Sequence, residues 1–186
     1  MKITSEVLDL IKRYEGLILN AYKDPAGVYT IGYGHTKGVK KGQVITKEQA
    51  EALLKEDIAA FERHVDKYDS IYHFNKNQYS ALVSFAYNIG SIDQLTANGS
   101  RSIKEISEKF PSYCRAGGRV LPGLVKRRAE EKLIFDRPII EPVSTYTEET
   151  TLKEVIDDIY AGKFGNGSER KDKLYQAIQK LVNKRR

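Results

Sequence analysis

Hydrophobic and polar positions follow two different periods along this chain. Leu8, Ile11 and Glu15 fall at i, i+3 and i+7, a helical stripe that Thr4 or Ser5 can cap and Gly16 can end. From residue 21 to 45 that period is lost. Asp24-Pro25-Ala26-Gly27, the glycines at 32, 34, 38 and 42, and the β-formers Val28, Tyr29, Thr30 and Ile31 predict short strands joined by tight turns. Helical spacing returns after the capping box Thr46-Lys47-Glu48-Gln49 and runs through Ala50, Leu53, Leu54, Asp57, Ile58 and Phe61 to about Val65. A more apolar helix opens at Asn75 or Lys76 and stops at Gly90. A shorter one spans Ser102 to Phe110, ahead of Pro111. Residues 116–123 read as a loop feeding a last long helix, with Pro122 near its first turn and Pro138 beyond its end.

The pattern changes at residue 137. Pro138, Pro142 and the polar run Ser144-Thr145-Tyr146-Thr147-Glu148-Glu149 predict a linker over 139–149. Beyond it, Leu152, Val155, Ile156 and Ile159 give one amphipathic helix, and Leu174, Ala177, Ile178, Leu181 and Val182 give one or two more. That segment, 150–186, is too short for a large core of its own. The expected class is α+β, mainly α: a small β lobe, a long connecting helix and a helical lobe within 1–138, then a small helical module.

Composition narrows the partners without choosing among them. The 186 residues carry a net charge of +6, and the first 138 hold 22 Lys and Arg against 17 Asp and Glu. Such a balance favours anionic partners, among them nucleic acid, membranes and bacterial wall polymers, and is equally ordinary for a soluble protein. No run approaches the ~18–20 apolar residues of a membrane span. Met1-Lys2-Ile3-Thr4-Ser5-Glu6 has no apolar stretch of the kind a signal peptide needs, so none is expected. Cys114, alone, can form no internal disulfide. His35, His64 and His73 lack metal-ligand spacing, and no metal or cofactor is expected. Gly32-Tyr33-Gly34-His35 lacks the third glycine and following helix of a dinucleotide site.

Candidate chemistry gathers between residues 15 and 35. Glu15 closes a helix on its core-facing side, where partial desolvation raises a carboxyl toward the range of a general acid. Asp24 precedes Pro25 and is also a natural turn initiator; Thr30 is also an ordinary strand residue. Two acids and a hydroxyl converging on one cleft can split a glycosidic bond with water.

The wording around these residues sharpens the reading. Tyr14-Glu15-Gly16-Leu17, Ala21-Tyr22-Lys23-Asp24 and Thr30-Ile31-Gly32-Tyr33-Gly34-His35-Thr36 resemble the phage-type lysozymes of glycoside hydrolase family 24. The likeness continues through Ser84-Phe85-Ala86-Tyr87-Asn88-Ile89-Gly90 and Leu121-Pro122-Gly123-Leu124-Val125-Lys126-Arg127-Arg128, and covers nearly all of residues 1–136.

The resemblance implies a lysozyme-like two-lobed fold and hydrolysis, with inversion, of the β-1,4 bond between N-acetylmuramic acid and N-acetylglucosamine. Glu15 would be the acid, Asp24 the second carboxylate and Thr30 a support for the water. Tyr87 and Asn88 match cleft-lining positions. Arg127, rather than Arg128, matches the arginine that pairs with the acid, and His35 is expected to be structural. Where the family usually has tryptophan this chain has Tyr29 and Tyr113.

The tail has a likeness of its own. Residues 162–183 are similar to the short three-helix wall-binding repeat of endolysins, with Phe164 in place of its usual tryptophan. That likeness implies muropeptide contacts from Gly162, Gly165 and Arg170. The implied biology is a phage endolysin, a monomer with no nucleic-acid partner and no stable membrane insertion. It would act on bacterial peptidoglycan and stay in the host cytoplasm until released to the wall. The rivals are a wall-binding protein without catalysis, a nucleic-acid binder, and a transglycosylase sharing the fold.

Overall fold

The computed structural model describes residues 1–139, 152–160 and 174–175. It divides into two compact units, Met1–Arg137 and Pro138–Arg186. In the first, helix α1 (Ser5–Glu15) is capped by the Thr4 hydroxyl, which accepts from the Val7 amide, and ends at Gly16 with φ +72°. It buries Val7, Leu10 and Ile11. Strands β1 (Ile18–Lys23) and β2 (Tyr29–Gly32) follow as an antiparallel hairpin, with Tyr22 opposite Thr30 and Lys23 opposite Tyr29.

This hairpin rests on helix α2 (Lys47–Tyr72) at one point of close approach. A Cβ placed on Gly32 would meet the Ala50 Cβ at 3.3 Å, and Gly32 has φ +67°, so glycine alone fits there. The capping box at Thr46 and Gln49 is formed with both of its hydrogen bonds. Helix α2 then outruns its expected end near Val65 by two turns. His73 closes it in the left-handed conformation, with its amide bonded to the Asp69 carbonyl.

Helix α3 (Lys76–Ile89), capped by Asn75, is the centre of the helical lobe, and every residue from Tyr79 to Ala86 is buried. A short helix α4 (Asp93–Thr96) sits in what sequence left unassigned, and α5 (Ile103–Lys109) runs into a 3₁₀ turn at Phe110–Tyr113. Within and just before the 116–123 stretch expected as loop, a minimal hairpin forms from β3 (Arg115–Ala116) and β4 (Arg119–Val120). Helix α6 (Pro122–Phe135) has proline in its first turn. It packs on α3 through an aromatic cluster in which Phe110 meets Phe85 at 5.5 Å and Phe135 at 5.3 Å between ring centroids. Tyr113, at a position where tryptophan was expected, meets Phe85 edge-on at 5.0 Å.

The fold is therefore mainly helical with small antiparallel sheets, as expected. In the second unit, helix α7 (Leu152–Tyr160) coincides with the amphipathic helix read from Leu152, Val155, Ile156 and Ile159. Gly162, Gly165, Arg170 and Phe164 lie outside the described residues. Among the described residues, no helix is long and apolar enough to cross a membrane, and no group of three or more His, Cys, Asp or Glu is placed to hold a metal ion.

Candidate active site

Glu15 occupies the last position of α1, so its side chain leaves the helix where the backbone turns away into the hairpin. The side chain is 23% exposed, and its Oε1 accepts from Arg127 Nη1 at 2.7 Å. Oε2 faces another neighbour. A Cβ built on Gly34 would stand 3.8 Å from Glu15 Oε2 and 4.0 Å from the Tyr87 hydroxyl. With φ +96°, Gly34 is held in a conformation that side chains avoid, and its bare backbone leaves the turn after β2 clear of the carboxyl. One oxygen of the acid is thus tethered and the other lies beside an open glycine.

Arg127 is itself deeply fastened. It is 3% exposed, its Nε donates to Glu131 Oε1 at 3.1 Å, and its Nη2 donates to the Ser84 carbonyl at 3.3 Å. The Tyr14 ring lies 5.4 Å from its guanidinium carbon. Burial, and then the Glu130 carboxylate that accepts from its hydroxyl at 2.6 Å, push Tyr14 up to about 12. Tyr14 therefore stays neutral and keeps its ring as a passive wall for the cation.

Asp24 and Thr30 are brought together through one residue. Asp24 Oδ1 accepts from the Val28 amide at 2.8 Å, while Thr30 Oγ1 donates to the Val28 carbonyl at 3.2 Å. The register sets Tyr22 opposite Thr30, and Asp24 stands one residue past the end of β1, where its amide donates to the Val28 carbonyl at 2.9 Å. Thr30 is 4% exposed, whereas Asp24 at the turn is half-buried. Neither makes a hydrogen bond or ion pair with Glu15, whose Oε1 is taken by Arg127.

The remaining expected residues are fixed by the protein. The Tyr87 hydroxyl donates to the Tyr33 carbonyl at 2.8 Å, and its ring packs 5.3 Å from that of Phe61. Burial and the nearby Asp57 and Glu15 carboxylates push Tyr87 above the ordinary tyrosine range. Asn88 Oδ1 accepts from Arg128 Nη2 at 3.1 Å. His35 bridges Asp57, at 2.8 Å from Nδ1, and the Lys37 carbonyl, at 2.9 Å from Nε2, and so ties the turn after β2 to α2.

Sequence reading missed Glu131 and Ser84. Glu131 is fully buried, accepts from Ser84 Oγ at 2.7 Å, and meets both arginines. Its spacing, four residues after Arg127 and three after Arg128, was the available signal.

The phage lysozyme family profile matches residues 12–131, a span that holds every residue just described. The chain belongs to the phage lysozyme family. It is 41% identical over 145 residues to the endolysin of Acyrthosiphon pisum secondary endosymbiont phage 1, covering 73% of this chain and 99% of that relative. To the endolysin of Bacillus phage PZA it is 40% identical over 164 residues, or 82% of this chain, and spans 62% of that relative's length.

Among solved structures, the muramidase domain of SpmX from Asticaccaulis excentricus superposes with a TM-score of 0.64 at 34% identity. That match covers 74% of this chain and 99% of that domain. The endolysin from Escherichia coli O157:H7 phage FAHEc1 gives 0.62 at 33% identity, covering 76% and 97%. A second profile, the CW_7 repeat, matches residues 153–185. The lysozyme-like fold, the family of glycoside hydrolases and the tail repeat are those expected from sequence.

Proposed function

We propose that this chain is a phage endolysin that hydrolyses the β-1,4 bond between N-acetylmuramic acid and N-acetylglucosamine in peptidoglycan. Glu15 protonates the departing glycosidic oxygen through Oε2. Asp24 polarises a water on the opposite side of the sugar, with Thr30 helping to hold it. An oxocarbenium-like transition state asks for a proton on one side and negative charge on the other. A water between carboxylate and sugar produces inversion and needs carboxyl groups about 6.5–9.5 Å apart.

The observation that carries this reading is the division of labour on Glu15. Arg127 occupies Oε1 at 2.7 Å, while Oε2 faces a glycine. Tyr87 and Asn88 contribute contacts to the glycan. Residues 1–138 form the catalytic domain, 139–149 a linker, and 150–186 a module that holds the wall through Gly162, Gly165 and Arg170. The CW_7 match over 153–185 supports that assignment. The protein acts as a monomer without nucleic acid, and waits in the host cytoplasm until it reaches the wall.

Turbidity clearing of purified bacterial walls tests the enzyme reading. Wild type clears them and Glu15→Gln does not; equal clearing refutes the acid assignment. A nucleic-acid binder would instead show steeply salt-dependent duplex binding and no clearing.

A further inference from the structure

Helix α6 places two adjacent arginines, Arg127 and Arg128, where both are almost wholly buried, at 3% and 1% exposure. Each reaches a different residue of the site: Arg127 takes Glu15, and Arg128 takes Asn88. One carboxylate, Glu131, sits behind both. Its Oε1 receives Arg127 Nε at 3.1 Å, Arg128 Nη2 at 3.1 Å and Ser84 Oγ at 2.7 Å. Its Oε2 lies 2.9 Å from Arg128 Nε. We infer that Glu131 is a positioning residue for the reaction proposed above. It locks Arg127 onto the acid and Arg128 onto Asn88, and it cancels positive charge that the two guanidiniums would otherwise turn toward Glu15.

Burying three charges for stability alone is a poor bargain, because desolvation erodes the Coulombic gain. The geometry is also imperfect as a stabilising device. Arg128 Nε and Nη1 and Glu131 Oε2 are buried without a hydrogen bond, since the 2.9 Å approach is out of line for one. What the arrangement does achieve is angular control. Arg127 is held by Glu131, by the Ser84 carbonyl and against the Tyr14 ring, so its Nη1 has one direction left.

With Glu15 ionised, two carboxylates face two guanidiniums and the cluster is neutral. Loading Glu15 with the proton it must donate leaves a net charge of one. Removing the Glu131 charge would leave two with Glu15 loaded, and so would disfavour the loaded form. Around Glu15 and its partners stand Tyr14 with Glu130 from α1 and α6, Tyr87 from α3, and Asp57 with His35 from α2 and the turn after β2, and the mechanism proposed above adds Asp24 from the hairpin turn. Burial pushes the Glu131 carboxyl upward, and Arg128, Arg127 and Ser84 oppose that. All three donate to it, which suits the ionised form.

The test is kcat and KM against pH on soluble, uncross-linked glycan strands, with folded protein quantified by circular dichroism. Glu131→Gln keeps the shape and removes the charge. Its alkaline fall in kcat moves about one pH unit lower, with about a tenfold loss on the alkaline side and KM little changed. Glu131→Asp restores the wild-type position of that fall. Ser84→Ala removes one donor without removing charge, and lowers kcat about two- to threefold at constant KM. It serves as the deciding variant should Glu131→Gln not fold. A wild-type pH profile for Glu131→Gln, or unchanged kcat per folded molecule for Ser84→Ala, overturns the inference. Full turnover by Glu15→Gln in the same assay would instead sink the functional reading beneath it.

Discussion

Glu15 and Arg127 lie 112 positions apart in sequence and meet at 2.7 Å, the last residue of α1 against the buried face of α6. Folding the helical lobe is what fixes the Glu15 carboxyl. Because Arg127 also bonds Glu131 and the Ser84 carbonyl, it reports on three elements at once.

Arg127→Met should therefore lose both stability and activity. Glu131 would be left buried with Arg128 as its one counter-ion, so the cost should fall below the about 3–5 kcal/mol of a buried charge with none. Chemical denaturation should show that loss, and turnover per folded molecule should fall at least ~tenfold because the acid is no longer aimed. Unchanged turnover in the folded fraction would mean that the Arg127 contact does not matter to the chemistry.

Gly34→Ala probes the other oxygen. At φ +96° alanine is strained by about 1–2 kcal/mol, and its methyl would stand 3.8 Å from Glu15 Oε2. The expected result is a lower melting temperature and a kcat loss that exceeds any change in wall binding. The same substitution at Gly38, with φ +74° but nothing within 4 Å, should cost stability without that kcat loss.

Acid should unfold the first unit through groups far from the site. The Arg137 hydrogen bond, and then its charge, hold Glu6 below the usual carboxylate range, against desolvation. Tyr68, followed by His64, holds Asp93 down. Groups lowered by folding stabilise the protein above their unfolded values and lose that contribution as pH falls through the folded values. Melting temperature should hold near neutrality and drop as pH falls below about 4. Both groups are half-exposed, so salt should weaken the effect. Glu6→Gln with Asp93→Asn should flatten the acid slope, and an unaltered slope would assign acid unfolding to other groups.

Removing residues 138–186 separates catalysis from wall binding. The match to the Acyrthosiphon pisum endosymbiont phage endolysin takes in 99% of that relative and 73% of this chain, so about a quarter of this chain lies outside it. The truncated protein should turn over soluble glycan strands at the full-length rate and sediment less with intact walls. Equal sedimentation would remove the wall-binding role from the tail.

Elements with local chemistry were legible in the sequence. Thr46 with Gln49, and Gly16 and Gly90 as stops, carry their signals in neighbouring residues, and the structure uses each as read. The extension of α2 to Tyr72 was not legible, because residues 66–72 have weak apolar spacing and the stop is a left-handed histidine rather than a glycine. Helix α4, with its four residues, has no period to detect.

At the site, Arg127 was found by resemblance, while Glu131 offered only its spacing from the two arginines. A run of Lys126, Arg127, Arg128, Glu130, Glu131 and Lys132 reads as a solvated face. Only the packing of α6 on α3 turns three of those charges inward.

The chemistry itself is tested most directly by mass spectrometry of muropeptides released from purified walls in isotope-labelled water. Hydrolysis by Glu15 yields fragments ending in reducing N-acetylmuramic acid that carry one oxygen from solvent, and none from Glu15→Gln. Anhydro-muramic ends without solvent oxygen, or equal release by the variant, would contradict hydrolysis by this acid.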